Sequence, residues 1–227
     1  MDILITGANG GLGSFLKNKL NRKNQIYSFD RKSSLSDFKK KEFDIIIHCA
    51  ARIEHMNWGN ISYDFIYDNV LLTHEISKIN SKKIIYISSI DSNQDTPYGV
   101  CKNLSEKIIS SQNKQFCIIR PSGLIGRGMK ENTFMKIIKN NPIALSKESI
   151  LDFTLYQDVL NVINQDLTGI INLTSNKPIK IGEIVEMLKR KNVTFGNIDF
   201  KINYIKSDFD TKMTSKEKIL HIEKELM

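Results

Sequence analysis

Short continuous apolar runs alternate along this chain with longer stretches whose apolar residues recur at helical spacing, and that alternation predicts a β-α-β order. Ile3 to Thr6 is too uniformly apolar for a half-exposed strand, so it reads as a strand buried on both faces. Residues 11 to 22 then place Leu12, Phe15, Leu16 and Leu20 on one side of a helix. Gln25 to Asp30 is a second strand, Leu35 to Lys41 a short helix, and Asp44 to Ala51 a third apolar strand that ends in small residues. Between Asn60 and Asn80, the spacing of Ile61, Phe65, Ile66, Val70, Leu71 and Ile76 predicts an amphipathic helix. Lys83 to Ser89 is a fourth strand, and Pro97 opens a helix carrying Tyr98, Cys101, Lys102, Leu104 and Ser105. Gln115 to Arg120 is another strand, closed by Pro121. Strands joined through helices by short connections predict a Rossmann-type α/β fold, a doubly wound parallel sheet with helices on both faces and a ligand crevice at the strands' carboxyl ends.

Those carboxyl ends hold the candidate chemistry. Gly7, Gly10 and Gly13 lie three residues apart where the first strand turns into the first helix. A helix start carries unpaired N–H groups and the positive end of the macrodipole, so such glycines admit a diphosphate; close packing of helix on strand is the alternative reading. Asp30 ends the second strand where the ribose of a dinucleotide would lie, and its carboxylate accepts from both ribose hydroxyls while repelling a 2′-phosphate. Arg31 beside it would do the opposite, so NAD and NADP both stay open. Ala50 and Ala51 leave room for a ligand. Tyr98 and Lys102 share one helix face, where an ammonium lowers the pKa of a phenol, and a hydroxyl such as that of Ser89 at a neighbouring strand end can hold a carbonyl oxygen. His48, inside an apolar run, reads as a core histidine with no chemistry.

Composition narrows the class. The chain has 227 residues, 41% hydrophobic and 26% charged, enough for one domain or one domain with a small appendage. No apolar run approaches the ~20 residues that span a bilayer, and the first strand begins too early for a leader to precede it, so a cytoplasmic protein without membrane contact is expected. Cys49, Cys101 and Cys117 form no close pair, which argues against a disulfide framework or a metal site. The net charge of +8 permits an anionic small molecule; the densest basic run, Lys39 to Lys41, lacks interleaved aromatic residues, and nucleic acid is not expected.

Taken in order, the motifs resemble the extended branch of the short-chain dehydrogenase/reductase superfamily, the NAD-dependent epimerase/dehydratase family that modifies nucleotide sugars. Thr6 to Gly13 is similar to its T-G-x-x-G-x-x-G, Asp44 to Ala51 to its strand ending in two alanines, and Asp68-Asn69-Val70 to its N-V helix motif. Ser88-Ser89, Tyr98 to Lys102 and Arg120 to Gly126 follow as S-S, Y-x-x-x-K and R-P-x-x-x-x-G. Tyr156 to Val159 and Gly169 to Leu173 continue the likeness more softly, and Asn132 to Lys136 looks like a segment of dTDP-4-dehydrorhamnose reductases.

The resemblance implies that Tyr98 is the general acid/base, that Lys102 binds the nicotinamide ribose and tunes Tyr98, and that Ser89 positions the substrate oxygen. It implies cofactor contacts from Gly7, Gly10, Gly11, Leu12, Gly13, Asp30, Arg31, Ala50, Ala51, Lys102 and Pro121, with the N–H groups around Gly11 and Leu12 on the diphosphate. Ser122, Arg127, Lys130 and Lys136 are candidates for the substrate, and Asn69 is either a support for the active-site helices or a surface amide. Residues 1–126 would form the dinucleotide-binding core and 127–227 an abbreviated C-terminal substrate subdomain, with 150–165 returning to the core and a terminal helix within 211–227. The implied activity is an NAD(P)-dependent reductase of a 4-keto nucleotide sugar in surface polysaccharide biosynthesis, with an epimerase or a non-catalytic dinucleotide-binding protein as alternatives. A homodimer through residues 60–80 and 97–112 is expected, where Phe65, Ile66, Val70 and Ile108 face either a partner or the core. One departure stands out: Ser89 and Tyr98 are only nine residues apart, where nucleotide-sugar members usually carry a longer loop.

Overall fold

The structure, a computed structural model, describes residues 1–53, 58–112 and 114–226. β1 (Asp2–Thr6) leads through the glycine turn into α1 (Gly11–Leu20), and β2 (Gln25–Phe29) returns beside it. A single turn, α2 (Ser36–Lys39), carries the chain to β3 (Phe43–His48) on the other side of β1. α3 (Tyr63–Ile66) runs through a π turn (Tyr67–Leu71) into α4 (Leu72–Ser77), and β4 (Ser81–Ile87), α5 (Pro97–Ser110) and β5 (Gln115–Pro121) follow. β6 (Gly123–Ile125), α6 (Thr133–Ile138), β7 (Ile143–Leu145), β8 (Ile150–Leu151) and β9 (Phe153–Leu155) lead to α7 (Tyr156–Asn164) and β10 (Gly169–Leu173). β11 (Ile179–Lys180), α8 (Ile181–Met187), β12 (Phe195–Ile198) and α9 (Ser215–Leu226) complete the chain.

Six strands form the central sheet in the order β10-β5-β4-β3-β1-β2, with every neighbouring pair parallel. Successive residues of a strand point to opposite faces, and both faces are covered. Ile3, Ile5, Ile47, Ile85 and Ile119 face α1 and α7 in one cluster, while Leu4, Ile46, Ile84 and Ile118 face Leu72, Ile76 and Ile109 in the other. Strand order reverses at β1, whose neighbours are β2 and β3, so the crevice expected at such a switch point opens where the glycine turn leaves the sheet.

The segment after β5 divides its loyalties. α7 packs on α1 and β10 extends the sheet, whereas Phe134, Ile137, Phe153, Ile181, Ile184 and Ile219 build a separate cluster among α6, α8 and α9. The outer edge of β10 is covered by a crossing segment: Asn172 N donates to Asp208 Oδ2 at 2.8 Å and Asp208 N to Asn172 O at 2.9 Å. α9 is fixed by the buried Lys218–Asp158 pair at 2.8 Å. No helix among the described residues is long and apolar enough to cross a membrane.

Phe65 and Val70 are interior residues, packed with Cys101 between α3 and α5, so they present no partner face. The outward face of the same helices carries Tyr63, Tyr67 and Leu71 together with Val100 and Leu104, all exposed.

His48 is a fully buried core residue, as its apolar surroundings in the sequence implied. Its Nδ1 lies 2.6 Å from Thr6 Oγ1 and its Nε2 2.9 Å from Thr73 Oγ1, tying β3 to β1 and α4. Burial depresses its pKa to about 3, against about 6.5 in an unfolded chain. Between those values the unfolded state binds the extra proton, so this contribution to stability is lost as pH falls from about 6.5 towards 3. Urea titrations at stepped pH are expected to show a loss on the order of a few kcal/mol over that window, with a shallower slope in His48→Gln.

Candidate active site

The glycine turn serves packing and ligand access together. Gly7 adopts φ +65°, a left-handed conformation suited to glycine, and a Cβ on it would approach Ala50 N to 2.9 Å. A Cβ at Gly13 would collide with the Gly7 carbonyl, so α1 lies tight against the end of β1. Gly10 is extended and accepts no role as a side-chain cap, and no acidic residue stands in the first turn of α1. The N–H groups of that turn are therefore left for an anion. The Leu12 side chain is buried, which leaves its backbone as the accessible part.

Beyond the turn, Asn9 Nδ2 donates to Asp30 Oδ2 at 2.9 Å and Lys32 N donates to Asp30 Oδ1 at 2.9 Å. The Lys32 amide, helped by Ser33 and Asn9, holds the Asp30 carboxyl below its usual range. Arg31 points to Asp68 at 3.4 Å, and Arg52 Nε donates to the same carboxylate at 2.9 Å. Asn69 is buried in the π turn and not a surface amide: its Oδ1 accepts from Arg52 N at 3.1 Å while its Nδ2 donates to the carbonyls of Arg52 and Phe65, each at 3.0 Å. Ala50 N donates to Thr6 Oγ1 at 3.1 Å, so the small residues after β3 are held beside β1.

Across the crevice, Thr96 caps α5 by accepting from Gly99 N at 3.1 Å, with Pro97 in the first turn. Tyr98, Lys102 and Glu106 then follow at successive steps of four along the helix. Lys102 is buried; its Nζ donates to the Ile87 carbonyl at 2.9 Å and stands 4.8 Å from the Tyr86 ring centre and 5.6 Å from that of Tyr98. Desolvation lowers its pKa to about 8. The Tyr98 phenol is raised, first by burial and then by the Asp91 carboxylate, so the expected lowering by Lys102 does not appear here: the ammonium faces a carbonyl and two rings.

The short connection before α5 is a 3-10 turn, Ile90–Asn93, capped by Ser89. Ser89 Oγ accepts from Asp91 N at 3.1 Å and donates to Asp91 Oδ2 at 3.3 Å, while Gln94 Nε2 donates to Asp91 Oδ1 at 3.1 Å. A Cβ at Gly99 would collide with the Asp91 carbonyl, so glycine there lets the abbreviated loop lie against α5. Asp91 is an acid two residues beyond Ser89 that fits no family motif closely, and Glu106 is a buried carboxylate to which the motifs gave no role. Glu106 accepts from Ser88 Oγ at 2.5 Å, from Arg120 Nε at 2.9 Å and from Arg120 Nη2 at 2.5 Å. Its signal was one further helical step beyond Lys102, opposite an arginine before Pro121.

The remaining candidates separate. Pro121 and Ser122 are buried, and Ser122 Oγ is 2.8 Å from Thr154 Oγ1, so its hydroxyl is paired within the protein. Arg127 and Lys130 are exposed on a loop whose Gly128 carbonyl would stand 2.8 Å from a Cβ at Gly11, so this loop borders the glycine turn. Lys136 is half-buried on α6. No group of acidic, histidine and cysteine residues suited to a metal occurs among the described residues. An uncapped helix start, a held carboxylate after β2 and small residues after β3 fit a dinucleotide.

Because Glu106 and Arg120 are both largely shielded from water, removing one partner strands the other. Glu106→Ala is expected to cost roughly 3–5 kcal/mol in chemical denaturation, and Glu106→Leu combined with Arg120→Met to recover most of it.

Residues 3–163 match the model of the NAD dependent epimerase/dehydratase family. No curated protein matches the chain. Among solved structures, MoeE5 in complex with UDP-glucose and NAD superimposes with a TM-score of 0.77 at 16% identity, covering 100% of both chains. The dTDP-4-dehydrorhamnose reductase of Bacillus anthracis str. Ames in complex with NADP gives 0.77 at 19% identity over 99% of each chain. The UDP-glucuronic acid 4-epimerase of Bacillus cereus, in complex with UDP-glucuronic acid and NAD, gives 0.73 at 18% identity over 88% of this chain and 87% of that one. At these identities the likeness is one of fold; the family match, spanning well over half of the sequence, carries the assignment, and the chain belongs to the NAD dependent epimerase/dehydratase family.

Proposed function

We propose that the protein is an NAD(P)-dependent oxidoreductase of a nucleotide-activated sugar, reducing a 4-keto group. The observation that supports this reading is that Lys102 stands 5.6 Å from the Tyr98 ring centre on α5, with Ser89 capping the short turn that leads into that helix. The bound nicotinamide supplies hydride. Tyr98, its phenol raised by burial, keeps its proton through neutral pH and donates it to the developing alkoxide. Ser89 orients the carbonyl oxygen by turning its hydroxyl away from Asp91, and Lys102 holds the cofactor ribose. Arg127 and Lys130 supply positive charge for the substrate diphosphate. The UDP-glucose bound to MoeE5, and the sugar nucleotides for which the two Bacillus enzymes are named, support this substrate class.

NAD is the favoured cofactor in this reading. Asp30 is ionised and held by its neighbours at the end of β2, while Arg31 turns to Asp68. The exposed face of Tyr63, Tyr67, Leu71, Val100 and Leu104 supports a homodimer built from two helices of each subunit. A cytoplasmic step in surface polysaccharide synthesis is the setting proposed.

Calorimetry is expected to show NADH binding at least roughly tenfold tighter than NADPH, with Asp30→Ala narrowing the gap. Equal affinities overturn the NAD preference, and absence of binding by both overturns the oxidoreductase reading. With a panel of 4-keto nucleotide sugars, NADH is expected to be consumed stoichiometrically. Tyr98→Phe is expected to lower kcat by ~100-fold or more while its NADH affinity stays unchanged. Conversion of substrate without net NADH consumption assigns an epimerase instead, and equal rates for Tyr98→Phe remove the catalytic role.

A further inference from the structure

Tyr156, the first residue of α7, is laid between two glycines. A Cβ at Gly126 would collide with its ring, and a Cβ at Gly11 would collide with its phenol oxygen. The ring has little freedom: the residue is only 5% exposed, its ring centre is 5.8 Å from that of Phe15, and α7 is anchored on α1 through Val159, Leu160 and Leu16. The hydroxyl nevertheless makes no hydrogen bond among the described residues, and burial alone accounts for the upward shift of its pKa to about 12. A phenol oxygen that still reaches solvent, on a largely buried ring and without a protein acceptor among the described residues, therefore sits at the first residue of α1, beside N–H groups that no side chain caps.

Two donor sets face one place, and an oxygen of a diphosphate can accept from both; the Gly128 carbonyl that also borders Gly11 makes no hydrogen bond with the phenol among the described residues. We propose that the Tyr156 hydroxyl is a phosphate ligand, donating to an oxygen of the dinucleotide's diphosphate as it lies on the start of α1. The assignment rests on the dinucleotide reading above and adds a residue to it from the far end of the chain. Gly11 then has a second purpose: any side chain there would displace the phenol oxygen from the diphosphate. The protonated phenol also serves as a neutral donor whose strength is constant across physiological pH.

The test compares ligands with and without phosphate. Binding of NADH, ADP and adenosine is measured by calorimetry, or by NMR where it is weak, for the native protein and Tyr156→Phe, a change that keeps the ring and removes only the oxygen. Tyr156→Phe is expected to weaken NADH and ADP by about 5- to 20-fold, as for loss of a charge-assisted hydrogen bond, and to leave adenosine unchanged. Equal weakening of adenosine and ADP shows a purely structural tyrosine and overturns the proposal. Unchanged ADP and NADH affinity in Tyr156→Phe overturns it as well, while leaving the dinucleotide reading intact. Native protein that binds neither NADH nor ADP overturns both together.

Discussion

The close approach of α1 to the end of β1 is the constraint on which the rest of this molecule depends. A Cβ at Gly13 would collide with the Gly7 carbonyl, and one at Gly7 would press on the backbone after β3. With those side chains absent, the helix starts directly at the point where strand order reverses, and its unpaired N–H groups open into the crevice. The sheet supplies the rigidity behind this arrangement. β1 is buried on both faces and hydrogen-bonded on both edges, so the turn it carries has little room to shift.

The opposite wall is organised by charge in place of close backbone contact. Tyr98, Lys102 and Glu106 lie along one stripe of α5, and Arg120 on β5 donates to both carboxylate oxygens of Glu106. That pairing ties α5 to β5 one helical turn beyond Lys102. Lys102 is left buried with a carbonyl and two aromatic faces as its partners, an environment that weakens its hold on the proton. Asp91, brought in by the shortened loop, adds a carboxylate beside Ser89 and raises the phenol further. The short loop is thus a source of electrostatic character as well as a simple loss of length.

Much of this was legible in the sequence because it rests on local rules. Doubly buried strands, a glycine-rich helix start, a proline-opened helix and a Tyr–Lys spacing of four each leave a pattern within a few residues. What could not be read was pairing across the chain. Ser122 looked like a substrate contact after the last core strand, yet Thr154, thirty-two residues on, takes its hydroxyl. The spacing of Phe65 and Val70 left a partner face and the core both open, and Cys101 on another helix places them in the core. Tyr156 belonged to a softer stretch of motif, and only the fold brings its oxygen to Gly11. Lys102 shows the limit of spacing alone: a step of four puts two side chains on one face and does not decide which atoms they meet.

The central claim is that one crevice, bounded by the start of α1 and by Tyr98 on α5, holds a dinucleotide in position for proton-coupled hydride transfer. A crystal structure of the protein with NADH and a nucleoside diphosphate tests it most directly. The account predicts diphosphate oxygens within ~3 Å of the Gly11 and Leu12 N–H groups, and a nicotinamide ring facing the Tyr98 hydroxyl. A dinucleotide bound elsewhere, or one whose nicotinamide lies away from Tyr98 with the crevice filled by other groups, would contradict it.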